Sequence, residues 1–248
     1  MKRMLTAIFS LAVQATLSTT VCAQSASRDG VLREIAAKRA ELQQLENQFL
    51  SPAEEDQAAY KEFLAQPDTG LIRLLPREVY ESEVYKKNQK TLTIRGGGAF
   101  YSFARLTHEY GLGSDLMLEV GYLSVASAGA GYGMLIDLGD ISLDEISTDY
   151  PRVLSLLNYA AAKDEPQARV EQRQVQLGRI LDGATYKDRV PVKIGTTFLL
   201  RSINYDFTDV LVAFRTVRKD TDGSLIIAWK LLKEFPKPEL ARTAQATT

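Results

Sequence analysis

Two runs near the C-terminus, residues 210–217 and 225–232, constrain this chain more than anything else in it. Both are rich in β-branched and aromatic residues, and both carry apolar side chains at odd and even positions. A strand with one wet face alternates apolar and polar residues. A strand that is apolar on both faces must be covered from both sides. The two runs therefore belong at the centre of a sandwich, or in a sheet with helices across one face. Between them lies Lys219-Asp220-Thr221-Asp222-Gly223-Ser224, and an Asp-Gly step flanked by such runs is a strong hairpin signal.

Alternation at residues 91–94, 99–106, 116–125 and 133–138 adds further strands, and residues 198–203 are another strand candidate by composition. The period differs before residue 71. Val31, Ile35, Leu42, Leu45 and Phe49 recur at alternating spacings of three and four, with Lys38 in the remaining slot. That pattern predicts an amphipathic helix of about five turns. Glu34 and Lys38 are four apart in the favourable order. The apolar stripe suits either packing on the chain's own domain or a short coiled coil, in which residues 31–65 would form a homo-oligomer contact.

Ser51-Pro52-Ala53-Glu54 reads as a helix start, with Ser51 capping and Glu54 completing a capping box. The second helix is expected to reach about Ala65, burying Tyr60, Phe63 and Leu64, and to end at Pro67-Asp68-Thr69-Gly70. A helical insert is expected over about 142–176. Ser142 to Glu145 forms another capping box, Pro151 opens a helix with an Ala-rich end, and Pro166 opens a polar one. The insert reads as a lid or a packing layer. The tail, residues 236–248, is Pro-rich and then Thr/Ala-rich, a composition expected to be disordered.

The fold class predicted is α+β: two N-terminal helices, then a mainly antiparallel β-sandwich or barrel-like domain with a helical insert. The boundaries are 1–23, 24–70, 71–235 and 236–248.

Residues 1–23 read as a secretory signal peptide. A basic start (Lys2, Arg3) precedes an apolar run over residues 4–13, and Val21-Cys22-Ala23 supplies small residues before Gln24. The run is shorter than the roughly 20 apolar residues that span a bilayer, and no later segment comes close, so no integral membrane span is expected. Val21 and Thr19 do not suit lipidation of Cys22. The expectation is export, periplasmic or secreted, after cleavage near Ala23. Cleavage removes the only cysteine, so a disulfide framework and cysteine catalysis leave with the leader. Losing Lys2 and Arg3 takes 30 basic residues to 28 against 31 acidic ones, a net charge of −3 rather than −1. No basic excess remains for a nucleic-acid partner.

Two glycine clusters read as turns. Arg95-Gly96-Gly97-Gly98-Ala99 lacks the lysine and following helix of a phosphate loop. Gly129-Ala130-Gly131-Tyr132-Gly133 misses the spacing of a dinucleotide fingerprint. Polar chemistry is densest at His108-Glu109-Tyr110 and Asp115. His108, the only histidine, is the candidate general base, with Glu109 or Asp115 as its orienting carboxylate and Ser102 or Ser114 as nucleophile. One histidine and no cysteine argue against zinc. Asp137, Asp140 and Asp144 offer hard oxygen ligands that would suit calcium if any metal; Asp220 and Asp222 raise the same reading, but their turn favours Asp anyway. No other cofactor is expected. Trp229 with Phe198, Tyr205, Phe207 and Phe214 forms an aromatic group, expected in the core.

Three functions follow in order of preference. The first is an exported non-enzymatic binding or interaction module, with helix-mediated assembly and a protein or small-molecule partner. The second is a secreted or periplasmic hydrolase using His108 with nearby carboxylates, or a carboxylate pair acting on glycans. The third is a structural protein of the cell envelope.

Overall fold

The computed structural model describes residues 28–80, 98–108 and 110–241. The leader, the strand candidate at 91–94, residues 95–97 of the first glycine cluster, Glu109 and residues 242–248 lie outside the described residues. The chain divides into two compact units, Met1–Gln48 and Phe49–Thr248.

The described part of the first unit is one helix, α1 (Arg28–Leu50), whose last two residues belong to the second unit. Taken by itself, α1 carries Val31, Ile35, Leu42 and Leu45 along one exposed stripe. Lys38, the polar member of the stripe, pairs with Glu41 at 2.8 Å.

The second unit mixes helices with several antiparallel sheets. Its larger sheet runs β1 (Thr69–Leu74), β11 (Leu225–Glu234), β10 (Thr208–Lys219), β9 (Thr197–Asn204) and β5 (Tyr132–Gly139) in spatial order. A second sheet runs β2 (Phe100–Tyr101), β3 (Leu116–Glu119), β4 (Tyr122–Val125) and β8 (Arg189–Pro191). β6 (Arg179–Leu181) and β7 (Ala184–Tyr186) form a small hairpin.

The double-faced runs 210–217 and 225–232 occupy the middle of the larger sheet. Phe198, Leu200, Val212, Phe214 and Ile227 on one face share a core with Leu116, Leu118 and Leu123 of the second sheet. On the other face, Leu199, Ile203, Leu211 and Ala213 meet α5 (Pro151–Leu157) and α6 (Glu165–Leu177) through Val153, Leu156, Ala168 and Val175. The short helices α2 (Glu54–Ala59) and α3 (Lys61–Leu64), with Tyr60 between them, add Tyr60 and Phe63 to that same face, and a one-turn helix, α4 (Arg77–Tyr80), follows β1. Burial on both faces is why these strands are apolar throughout.

Close contacts join the two sheets at both edges. An isolated bridge pairs Leu135 of β5 with Lys187, next to β8. At the other edge the Leu75 amide donates to the Gly98 carbonyl at 3.2 Å. Gly70 of β1 faces Trp229 across the ladder, where a Cβ would lie 2.4 Å from the indole; only glycine leaves room for the ring.

The structure departs from the sequence reading at several places. The second helix breaks at Tyr60, and its N-cap is Ala53 rather than Ser51. Its acidic first turn, Glu54, Glu55 and Asp56, complements the helix dipole instead, and buried Asp56 pairs with Arg218. Residues 116–125 are a hairpin, not one strand, because Val120 and Gly121 both take positive φ, 48° and 75°. Residues 99–106 hold only the short β2, after which the chain turns back so that Ser102 bridges Thr107. The Asp-Gly hairpin lies where expected: β10 and β11 pair antiparallel, and the Asp220 amide bonds the Ser224 carbonyl at 2.8 Å.

Candidate functional site

Apart from Glu109, which lies outside the described residues, the residues that sequence chemistry singled out have structural partners. His108 Nε2 lies 2.8 Å from the Arg73 carbonyl of β1. A carbonyl only accepts, so Nε2 carries the proton and the ring ties its loop to the sheet edge. Burial pushes the His108 pKa down, against the opposing pull of that carbonyl, which keeps the ring neutral at pH 7. Its ring also packs edge-on against Tyr101 at 5.3 Å.

Asp115 bonds elsewhere. Its Oδ2 accepts the Phe103 amide at 2.8 Å, and its Oδ1 accepts the Asn204 amide nitrogen at 3.1 Å. Asn204 also reaches Ser202 Oγ at 3.0 Å and the Ser114 carbonyl at 3.1 Å. Burial pushes the Asp115 carboxyl up to about 6, although hydrogen bonds from Ser202, Phe103, Ser102 and Ala104 oppose the shift. Ser102, Ser114 and Asp115 are completely buried. A nucleophile needs a path for its substrate, and these serines offer none in this conformation. The constellation pins the 102–104 turn to the ends of β3, β9 and β10.

The aspartates named for calcium are each held by a different group. Asp137 pairs with Lys193 at 2.6 Å, Asp140 with Arg215 at 2.6 Å, and Asp144 accepts Gln66 at 3.2 Å. In the β10–β11 turn, Asp220 and Asp222 pair with Arg218 and Arg73 at 2.8 and 2.7 Å. Among the described residues, no three His, Cys, Asp or Glu side chains are grouped so that they could hold a metal ion. No described helix is long and apolar enough to cross a membrane. The glycine cluster at 129–133 is a docking point for α6: Arg169 Nη1 and Gln172 Nε2 donate to the Gly129 carbonyl at 2.6 and 2.9 Å.

An accessible concave feature among the described residues lies on the helical face, in a region the sequence marked only as a lid or packing layer. It is a cleft of about 820 Å³ between the end of α5, the segment 158–163, the first half of α6 and the β6–β7 hairpin. Its volume falls in the range of small-molecule sites.

The cleft wall is held from below by three independent ties. Arg201 of β9 lies almost wholly buried and forms a bidentate pair with Asp209 of β10, Nε to Oδ1 at 3.1 Å and Nη2 to Oδ2 at 2.9 Å. Its remaining Nη1 donates to the carbonyls of Leu156 and Tyr159, the latter at 2.6 Å. The guanidinium stacks 3.9 Å from the centre of the Phe235 ring. Second, Tyr205 donates to the Ala162 carbonyl at 2.6 Å, and the Ala162 amide donates to Tyr132 Oη at 3.0 Å. Third, the Ala241 amide donates to the Lys163 carbonyl at 2.8 Å. Tyr159 shares a 3.0 Å hydrogen bond with Tyr132. Burial, then that bond, lifts the Tyr159 phenol far above its ordinary range, so it stays neutral and serves as a hydrogen-bonding group.

Into this wall project an acid and a base. Glu171 stands on α6. Gly178, at φ 111°, ends the helix and turns the chain back so that Arg179 starts β6 beneath Glu171. Glu171 Oε1 and Arg179 Nη2 are 3.5 Å apart, and the Tyr159 phenol neighbours the Glu171 carboxylate, whose presence adds to the upward shift of that phenol; buried Glu171 Oε2 and Arg179 Nε have no hydrogen-bond partner. Ala160, Ala161, Pro166, Val170 and Leu181 supply apolar wall, and Lys163 and Asp182 stand at the exposed rim. The Ala-rich run expected to end the Pro151 helix was the one sequence sign of this wall, but α5 stops at Leu157 and the alanines form the irregular segment after it; Glu171 and Arg179 carry no recognisable motif. No family model, curated protein or solved structure matches the chain.

Proposed function

We propose that this chain is an exported, non-enzymatic binding module that takes a small ligand in the cleft between residues 155 and 182. The observation that carries this reading is the pre-organised wall: backbone at Leu156, Tyr159, Ala162 and Lys163 is fixed by side chains and amides from distant strands and from the C-terminal segment. A site fixed before binding loses less entropy when a ligand arrives. The engagement of His108, Asp115, Ser102 and Ser114 in buried packing supports binding over hydrolysis. In this reading the two sheets form a barrel-like sandwich that acts as scaffold, and the helices between β5 and β6 are an insert that carries the site.

The test is a ligand-observed NMR screen of a fluorinated fragment library on the mature protein and on Ala161→Trp, which fills the cleft. The reading expects fragments that bind the parent and are lost in the variant, with both proteins melting alike. Fragments that bind both equally, or no binding fragments, would overturn it.

The same reading assigns assembly to α1. An apolar stripe at Val31, Ile35, Leu42 and Leu45 cannot be buried by a lone helix, and a second copy of the helix covers it at the spacing of a short coiled coil. Light scattering should find the mature protein as an oligomer and Ile35→Glu/Leu42→Glu as a monomer. Equal masses would remove the assembly half of the proposal.

A further inference from the structure

The charges in the cleft point to the ligand's chemistry, an inference that rests on the binding function proposed above. Elsewhere in the second unit the paired arginines each close on at least one carboxylate: Arg77 on Glu119 at 2.8 Å, Arg201 on Asp209 at 2.9 Å, Arg215 on Asp140 at 2.6 Å, and Arg73, though 3.7 Å from Asp220, on Asp222 at 2.7 Å. Such charge-assisted contacts belong at about 2.7–2.9 Å. The Glu171–Arg179 pair stays open at 3.5 Å, with side chains only 18% and 27% exposed, and each partner keeps an unpartnered buried atom. Two opposite charges are thus held side by side, half-desolvated and unclosed.

A ligand entering between them must answer both. A simple anion would bond Arg179 and leave Glu171 without a counterion in a half-buried site, and a simple cation would do the reverse; either leaves an expensive uncompensated charge. A group carrying a cation and an anion as two substituents of one carbon completes the pair from both ends. We propose that the cleft binds a free α-amino acid with an apolar side chain. Its ammonium bonds Glu171, its carboxylate bonds Arg179, and its side chain lies along Ala160, Ala161, Pro166, Val170 and Leu181. The cleft's volume of about 820 Å³ leaves room for a large side chain.

The experiment is isothermal titration of the mature protein with L-phenylalanine, beside phenethylamine, 3-phenylpropionate and D-glucose. L-Phenylalanine should bind, and each single-charge analogue should bind about ten-fold or more weakly, the loss expected for one charge-assisted hydrogen bond. Glu171→Gln should lose L-phenylalanine and narrow the gap for 3-phenylpropionate. Arg179→Met should narrow it for phenethylamine. A purely structural role for the pair would not produce this reciprocal exchange. Glucose binding without amino-acid binding, or analogues binding as well as the zwitterion, would overturn the inference. So would the absence of amino-acid binding to a cleft that still takes fragments, a result that leaves the binding function standing. Loss of every fragment would instead bring down that function.

Discussion

Replacing Arg201 with methionine should be the most costly single change in the scaffold, and its size follows from the partners it leaves. Arg201 and Asp209 have side chains 3% and 4% exposed, so neither can turn to water. Breaking such a pair by removing one partner costs about 3–5 kcal/mol, because the other charge stays buried. The carbonyls of Leu156 and Tyr159 lose a donor as well, at about 1 kcal/mol each. The total of about 5–7 kcal/mol is comparable with the whole stability of many domains. Burial already pushes the Asp209 pKa up, with Arg201 opposing the shift. Without Arg201 it rises further. A carboxyl whose folded pKa lies above its unfolded one favours folding when protonated, and that contribution disappears as pH rises through the folded value. The deficit of Arg201→Met should therefore be largest near pH 8 and shrink toward pH 5. Urea unfolding followed by the fluorescence of Trp229, the only tryptophan, gives both numbers. Arg201→Met/Asp209→Leu, which removes both charges, should recover most of the loss. A single-variant deficit below about 1 kcal/mol at pH 8, or a double variant no better than the single, would refute the reasoning.

Two further substitutions test other parts of the scaffold. Asp115, lifted by burial to about 6, has a folded pKa above its unfolded one. Its contribution is fully present below about pH 4 and lost through pH 6, about 3 kcal/mol between pH 8 and pH 4. Asp115→Asn should flatten that part of the stability profile, and an unchanged profile would contradict the assignment. Val120 is an exposed β-branched residue at φ 48° in a two-residue hairpin turn, a conformation that suits Asn. Val120→Asn should raise stability by about 1 kcal/mol in urea unfolding, and a loss would show that the turn is not strained.

How much was legible depended on whether a signal was local. The middle strands of the larger sheet were readable because burial on both faces leaves an apolar residue at every position, as in Leu211, Val212, Ala213 and Phe214. The Asp222-Gly223 turn was readable because its chemistry is that of the turn itself. The β3–β4 hairpin was not, since Val120 occupies a conformation that its side chain disfavours and the packing around it decides. β1 and β8 were hidden because they are short and their partners lie far along the chain, and β6 and β7, which pair locally, because three residues each are too few to show a period. The polar residues were found by type, but type does not reveal burial. His108 and Asp115 were visible as chemistry, and the structure shows them holding loops. Glu171 and Arg179 meet only through the turn at Gly178, so their proximity depends on tertiary geometry that no spacing rule encodes.

The most direct test of the account is a map of ligand-induced shifts on the isotope-labelled mature protein, using the tightest binder from the fragment screen. Shift changes concentrated at residues 158–163, 166–171 and 179–182, absent from Ala161→Trp, are the predicted result. Changes centred instead on the loop around His108 and Asp115, with the cleft unaffected, would contradict it.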